Sequence, residues 1–169
     1  MGNEKGKFNK GVSIIEILIV VAFVAISFTS LLGLIAYSLR TSSLIKKTVQ
    51  AAGLVQEAME AVRNFRDGTD WNVNGLRDYI GIDATSSGPW QVKLDTAFSP
   101  PKWTLAAGTE TIDGFSRQVF FEKVSRDFNK NIQDVYSPVG DDPNTRKLTA
   151  KVFWEGKEAK LSTYLTNWK

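Results

Sequence analysis

The sequence predicts an α+β protein, in which a long N-terminal helix packs on a small antiparallel β-sheet. Residues 17–39 carry no charge, and residues 40–66 repeat apolar side chains at helical spacing. Residues 90–169 contain segments in which apolar and polar side chains alternate, as they do in half-buried strands. The chain therefore divides into five segments: a basic leader at 1–11, an apolar transmembrane helix at 12–39, its amphipathic continuation at 40–66, a linker or loop region at 67–89 and a sheet domain at 90–169.

The uncharged segment Ile17–Leu39 is long enough to cross a membrane. Its 23 residues would form a helix of roughly 35 Å, and the hydrocarbon core of a bilayer is about 30 Å thick. A cleavable secretory signal has a shorter apolar core followed by a small-x-small site, which residues 36–43 do not provide. Basic residues flank the segment on both sides, so the positive-inside rule alone does not decide its orientation.

Beyond Arg40 the apolar residues recur at steps of three, four and seven, which places them along one stripe of a helix. The predicted stripe consists of Ile45, Ala52, Val55, Met59, Val62 and Phe65. We expect this stripe to cover one face of the sheet. Gly33 and Gly53 lie inside the predicted helix, and each weakens it by about 1 kcal/mol relative to alanine, which favours local unwinding near them.

The C-terminal part contains four strand candidates, at residues 90–94, 115–124, 147–154 and 160–165. The last two are separated by a short segment around Glu155-Gly156-Lys157, which predicts an antiparallel hairpin. Trp154 falls on the core side of its alternating segment. This position favours burial of the indole over stacking on single-stranded DNA.

The polar loop predicted at residues 137–146 allows two interpretations. Its Asp141, Asp142 and Asn144 present side-chain oxygens of the kind that bind calcium. Three such residues around a proline are more often a solvated turn. We favour the turn.

The composition argues against an enzyme and against a nucleic-acid-binding protein. The chain of 169 residues contains no histidine and no cysteine, so it lacks the usual general base, the thiolate nucleophile and the usual zinc ligands. The formal net charge is +3, and the first eleven residues contribute +2 of it through Lys5, Lys7 and Lys10 against Glu4. The remainder is nearly neutral. We predict no catalytic residue, no cofactor and no metal site, and we expect no nucleic-acid partner.

The N-terminal stretch resembles the prepilin motif of type IV pilins and type II secretion pseudopilins. That motif consists of a basic leader ending in glycine, the first mature residue, a glutamate at the fifth mature position and a long apolar segment, and here "KGVSIIE" precedes residues 17–39. The resemblance implies that Gly11 is the last leader residue, that Val12 becomes the N-methylated N-terminus, and that Glu16 is the assembly glutamate. The family usually has Phe or Met where this chain has Val12.

Three further stretches, 51–67, 114–124 and 147–168, are similar to minor pilins and I-type pseudopilins. The resemblance implies a type IV pilin-like fold and a structural subunit of a pilus or secretion filament. Its implied partners are a prepilin peptidase/methyltransferase, other pilin or pseudopilin subunits, an assembly platform and the lipid bilayer. It also implies a single-pass protein of the cytoplasmic membrane, with a cytoplasmic N-terminus and an external sheet domain, that later enters a cell-surface or periplasmic filament. The alternative is a membrane-anchored ectodomain that acts as a receptor or adhesin without filament assembly.

Two interpretations of Glu16 remain open. Locally, Ser13-Ile14-Ile15-Glu16 fits the capping-box pattern, in which Ser13 caps the helix and Glu16 bonds the amide of Ser13. Between subunits, the α-amino group of a cleaved Val12 would pair with Glu16 of a neighbour. At about 4 Å and an effective dielectric constant near 20, such a pair is worth roughly 4 kcal/mol before desolvation. This is comparable with the cost of about 2.5–3.5 kcal/mol for a charge at the centre of a spanning helix, and the resemblance favours the intermolecular pair.

Overall fold

The computed structural model describes residues 13–80 and 86–168 of the chain. The predicted leader, with Gly11 and Val12, lies outside the described residues. One long helix precedes six strands: α1 (Ile14–Gly68), β1 (Ser86–Asp95), β2 (Lys102–Ala107), β3 (Glu110–Ile112), β4 (Phe115–Ser125), β5 (Asp141–Trp154) and β6 (Lys157–Thr166). A 3₁₀ turn at Pro138–Gly140 precedes β5. The predicted α+β class, a long N-terminal helix with a small antiparallel sheet, is confirmed.

The chain separates into two compact units, residues 1–46 and residues 47–169. The described part of the first unit is the N-terminal portion of α1. This helix is long and apolar enough to cross a membrane, and no residue of its most apolar 18-residue window is buried. The helix is continuous through Gly33 and Gly53, so the local unwinding that these glycines favour is not observed.

The second unit is organised around an antiparallel sheet with the strand order β2-β1-β4-β5-β6, and β3 also pairs with β4. In the central pair, Val119 lies opposite Ala150 and Phe121 lies opposite Leu148. All four side chains are buried. The register therefore places the apolar residues of β4 and β5 on one face, which forms the floor of the core.

The hairpin between β5 and β6 is confirmed. Trp154 pairs with Lys157, so the connection is the two-residue turn Glu155-Gly156. Both turn residues have positive φ, 46° and 73°, as a type I′ turn requires, and glycine adopts this conformation without steric cost. Trp154 is buried and its ring centroid lies 6.0 Å from that of Phe115, which confirms its predicted place in the core.

Several strand details differ from the prediction. β5 begins at Asp141, inside the predicted polar loop 137–146, because Asp141 pairs with Ser125 across an irregularity in the β4–β5 register. β2 and β3 were not predicted, since β2 lacks clear alternation and β3 has only three residues. Leu161 lies on the same face as Ala150 but is half-exposed, because β6 is an edge strand with a neighbour on one side only.

The C-terminal half of α1 covers the inner face of the sheet. Its buried residues are Ala51, Val55, Ala58, Met59, Ala61, Val62 and Phe65, and they belong to one cluster with the sheet residues. The predicted stripe was wrong at two positions, because Ala52 is exposed and Ile45 is 59% exposed. At about 100° per residue, Ala51 lies near the centre of the buried sector, whereas Ala52 and Ile45 fall outside it.

A buried arginine joins the helix to the sheet. Arg117 on β4 is only 2% exposed, and its Nη2 and Nε atoms donate to Oε2 of Glu110 on β3 at 2.7 and 2.9 Å. Its Nη1 atom lies 3.3 Å from Oε1 of Glu57 on α1 and donates to the carbonyl oxygen of Leu54 at 3.4 Å. The guanidinium thus has partners from β3 and α1 at once, which compensates for its burial.

Residues between α1 and β1 complete the core through an aromatic cluster. The ring centroid of Tyr79 lies 5.5 Å from that of Phe65, 4.8 Å from that of Trp90 and 6.1 Å from that of Phe121. Burial raises the pKa of the Tyr79 phenol. Trp71 anchors the same segment, since its Nε1 atom donates to the carbonyl oxygen of Pro143 at 3.1 Å.

The contacts of α1 predict how two truncated chains behave. A fragment of residues 42–169 keeps Val55, Met59 and Val62 on the sheet, so we expect a soluble monomer that unfolds cooperatively. A fragment of residues 70–169 lacks these side chains and exposes the inner face of the sheet, so we expect aggregation. Size-exclusion chromatography and thermal unfolding measure both properties. Equal solubility of the two fragments would contradict the observed packing.

Arg117→Ala should strongly destabilise the 42–169 fragment. The substitution removes the shared partner of Glu57 and Glu110, and breaking a buried ion pair costs about 3–5 kcal/mol. Arg63→Ala is the matched control, because Arg63 pairs with Glu60 at 2.5 Å on the exposed surface of the same helix. Its loss should change the free energy of unfolding by about 1 kcal/mol or less. Urea titration of both variants measures the difference, and similar effects would rule out a special role for Arg117.

Candidate functional site

The candidate site is the N-terminal part of α1, where Ser13 and Glu16 begin the helix. The carbonyl oxygen of Ser13 accepts hydrogen bonds from the amides of Glu16 (3.0 Å) and Ile17 (3.3 Å). Ser13 therefore stands at the N-cap position through its backbone. Between these two described residues only the backbone bond is present, and both interpretations of Glu16 stay predictions. Its carboxylate lies in the first turn of α1, where the helix dipole favours a negative charge.

The helix surface that follows Glu16 is apolar and exposed on all sides. Every large apolar side chain from Ile17 to Leu39 is exposed, with values between 47% and 71%. Monomeric soluble proteins rarely expose a continuous apolar surface of this extent. The segment therefore requires a cover of lipid or of other protein.

Three hydroxyl groups near the middle of the apolar segment are satisfied within the helix. Ser27 donates to the carbonyl oxygen of Phe23 at 2.8 Å, and Thr29 and Ser30 both donate to that of Ile26 at 2.9 Å. Such bonds remove most of the cost of placing a hydroxyl in hydrocarbon. Gly33 faces open space, since an added Cβ atom would have no neighbour within 4 Å.

The polar turn around Asp142 is closed by an ion pair. Oδ2 of Asp142 accepts bonds from Nε of Arg126 (2.6 Å) and Oγ1 of Thr145 (2.7 Å), and Oδ1 accepts one from the amide of Asn144 (3.0 Å). Burial acts to raise the pKa of Asp142, but these bonds outweigh it and hold the pKa below its ordinary value. In residues 13–80 and 86–168, no group of three or more acidic side chains is arranged to hold a metal ion.

Sequence reasoning missed an exposed apolar surface on the connection between β4 and β5. Phe128 and Val139 are 101% and 93% exposed, and both line a surface groove of about 660 Å³. The sequence around Phe128 and Val139 has neither helical nor strand periodicity, so periodicity did not predict that these two side chains share a surface. The available signal was an aromatic and an aliphatic residue within an otherwise polar loop.

Comparison of the chain with protein-family models, with curated proteins and with solved structures finds no match. The cleavage prediction at Gly11 and Val12 falls on residues outside the described part of the chain, and it stays a prediction.

Proposed function

We propose that this chain is a structural subunit, a minor pilin or pseudopilin, of a type IV pilus or type II secretion filament. The subunit enters the membrane as a prepilin, is cleaved after Gly11, and assembles through its N-terminal helix. The observation that carries the proposal is one carboxylate, Glu16, at the start of a helix whose apolar surface is exposed on all sides. The "KG" pair stands five residues before this carboxylate.

The exposed surface of α1 supports two successive environments. In the membrane, acyl chains cover the side chains of residues 17–39, and in a filament the equivalent segments of neighbouring subunits cover them. The hydroxyls of Ser27, Thr29 and Ser30 suit both environments, because each is already hydrogen-bonded to a carbonyl oxygen of the helix and does not need a water molecule as partner. The sheet domain needs neither environment, since it has its own core.

Glu16 supplies directionality to this assembly. An ionised carboxylate near the end of a spanning helix is costly in lipid, and its cost falls when a cation approaches. Cleavage after Gly11 would create that cation as the α-amino group of Val12. A neighbouring subunit would then be drawn to the one axial position at which its N-terminus meets Glu16.

The proposal defines the partners and the location of the chain. A prepilin peptidase/methyltransferase acts on Gly11 and Val12, a membrane platform extracts the subunit, and other pilin-like subunits receive it. The N-terminus is cytoplasmic and the sheet domain lies outside the cytoplasmic membrane. The filament is then at the cell surface or in the periplasm.

A second candidate function is a membrane-anchored receptor or adhesin that does not assemble. The exposed Phe128 and Val139 favour it, because an apolar groove on a folded ectodomain is a binding feature. Such a protein would keep its leader. The fate of residues 1–11 therefore separates the two functions.

Gly11→Val should block maturation. Coexpression with a prepilin peptidase should yield a wild-type membrane form that has lost residues 1–11 and gained one methyl group, whereas the variant should stay full length. Gly33→Val is the matched control, because Gly33 lies inside α1 with open space around it. Intact mass spectrometry distinguishes these forms. A wild-type chain that keeps its leader would remove the filament proposal and leave the anchored ectodomain.

Glu16→Gln should be inserted and cleaved but should co-assemble poorly. Glutamine keeps the size and the hydrogen-bonding ability of the side chain and removes the charge, so the variant loses only the attraction to a neighbouring amine. We expect at least a tenfold lower ratio of filament to membrane pool, which corresponds to about 1.4 kcal/mol. Glu60→Gln, on the exposed face of the sheet domain's helix, is the control. A wild-type ratio for Glu16→Gln would exclude the intermolecular pair.

A further inference from the structure

The groove between β4 and β5 is built from a firmly held loop. The amide of Arg126 donates to the carbonyl oxygen of Gly140 at 2.8 Å, and the amide of Gln133 donates to that of Ser125 at 2.9 Å. The buried hydroxyl of Ser125 bonds Gln133 and accepts from the amide of Ser137 at 3.0 Å. Gly140 has no room for a side chain, because an added Cβ atom would lie 2.2 Å from the carbonyl oxygen of Arg126. The loop is thus held in place before binding, so a partner that contacts Phe128 and Val139 would lose little free energy to ordering of this loop.

The charges around this groove specify a basic partner. Residues 126–142 carry four aspartates against Arg126 and Lys130, a formal net charge of −2. Arg126 is engaged by Asp142 at 2.6 Å. Asp127 and Asp141 line the groove together with Phe128 and Val139. A surface that combines exposed apolar side chains with lysine or arginine would complement it.

Residues 39–49 of the same chain have this chemistry. Arg40, Lys46 and Lys47 give the segment a formal net charge of +3, with no acidic residue. Leu39, Ile45 and Val49 are exposed by 68%, 59% and 65%. Lys46 and Val49 are three residues apart on a helix, so they are neighbours on its surface.

Within the second unit, the groove lies far from Lys47, the first residue of that unit. At one end of β5, Pro143 lines the groove and contacts Trp71. At the other end, Lys47 pairs with Glu155 of the β5–β6 turn. Pro143 and Glu155 are twelve positions apart along the strand and its turn, a distance of roughly 35–40 Å. The acidic groove and Lys47 therefore lie at opposite ends of the second unit.

We infer that the groove of one copy docks on residues 39–49 of another copy. The two surfaces differ, so the contact is heterologous and head-to-tail. Repeated contacts of this type form either a closed ring or an open filament. The inference rests on the proposed function and names a contact of its sheet domain that does not involve Glu16. Phe128 and Val139 supply the apolar anchors, Asp141 faces Lys46, and Asp127 faces Arg40.

Cysteine cross-linking tests this contact directly, because the chain contains no cysteine. The full-length double variant Phe128→Cys/Val49→Cys, expressed with the peptidase and assembly machinery, should give a ladder of oxidised multimers. Each single variant should stay monomeric under the same oxidation. Phe128→Cys/Leu161→Cys is the matched control, since Leu161 is also half-exposed but lies on β6, and it should give no ladder. Val139→Cys replaces Phe128→Cys if the latter does not fold.

A charge exchange in the cross-linking variant tests the electrostatic part. Lys46→Glu should lower the cross-linked fraction about fivefold, and the addition of Asp141→Lys should restore it to within about twofold, as expected for directly coupled residues. Asp134→Lys, an exposed aspartate that does not line the groove, is the control for the added charge. If Asp141→Lys restores cross-linking no more than Asp134→Lys does, the proposed pairing of charges is wrong.

The remaining outcomes distinguish this inference from the proposed function. Cleaved chains in normal filaments without a ladder would overturn the contact and leave the filament proposal intact. If Phe128→Cys alone forms dimers, the loop pairs with the same loop of another copy. A water-soluble thiol reagent can also be applied to Val49→Cys in membranes and in filaments. If the cysteine is equally protected in both, the basic segment contacts lipid headgroups. Both results would overturn the contact. Chains that keep residues 1–11 and form no filament would overturn both proposals.

Discussion

The second unit depends on the contact between the C-terminal half of α1 and the inner face of the sheet. Burial of Val55, Met59 and Val62 stabilises this contact, but apolar burial is not directional and permits sliding. Arg117 adds direction, because its guanidinium must meet Glu110 of β3 and the Glu57–Leu54 turn of α1 at the same time. The helix-side partners of this buried charge favour one axial position of the helix on the strands, because a shift of one helical turn would break the contacts of Arg117 with Glu57 and Leu54.

The same helix has a second, opposite requirement in its N-terminal half. There the large apolar side chains are exposed on every face of the helix. Lipid or another protein chain would remove this apolar surface from water. Under the proposed function, lipid would cover the apolar side chains but leave Glu16 costly, whereas packed helices with free amino termini would satisfy both. This difference would be a physical basis for the proposed stepwise assembly, and the inferred contact between copies would give that assembly a consistent direction.

Features set by local chemistry were predictable, and features set by distant contacts were not. The hairpin at Glu155-Gly156 and the apolar segment were readable because turn chemistry and hydropathy act over a few residues. The start of β5 was misplaced because its pairing with Ser125 lies outside the local sequence. The spacing did not separate Ala52 from the buried Ala51, because the two stand three and four residues before Val55 and both steps fit a helical stripe. Arg117 gave no signal, since an arginine in an alternating strand usually faces water. Glu16 was identifiable from the sequence because it is the single carboxylate directly before an uncharged segment.

The bonds of Ser27, Thr29 and Ser30 have a mechanical consequence. The carbonyl oxygen of Ile26 accepts from two hydroxyls, and side-chain bonds of this kind weaken and bend the local helical ladder. Gly33 follows within one to two turns and adds its own low helix propensity. These features favour bending of the apolar helix between Ile26 and Gly33. Under a pulling load, extension would begin here, and the sheet domain with its separate core would keep its shape.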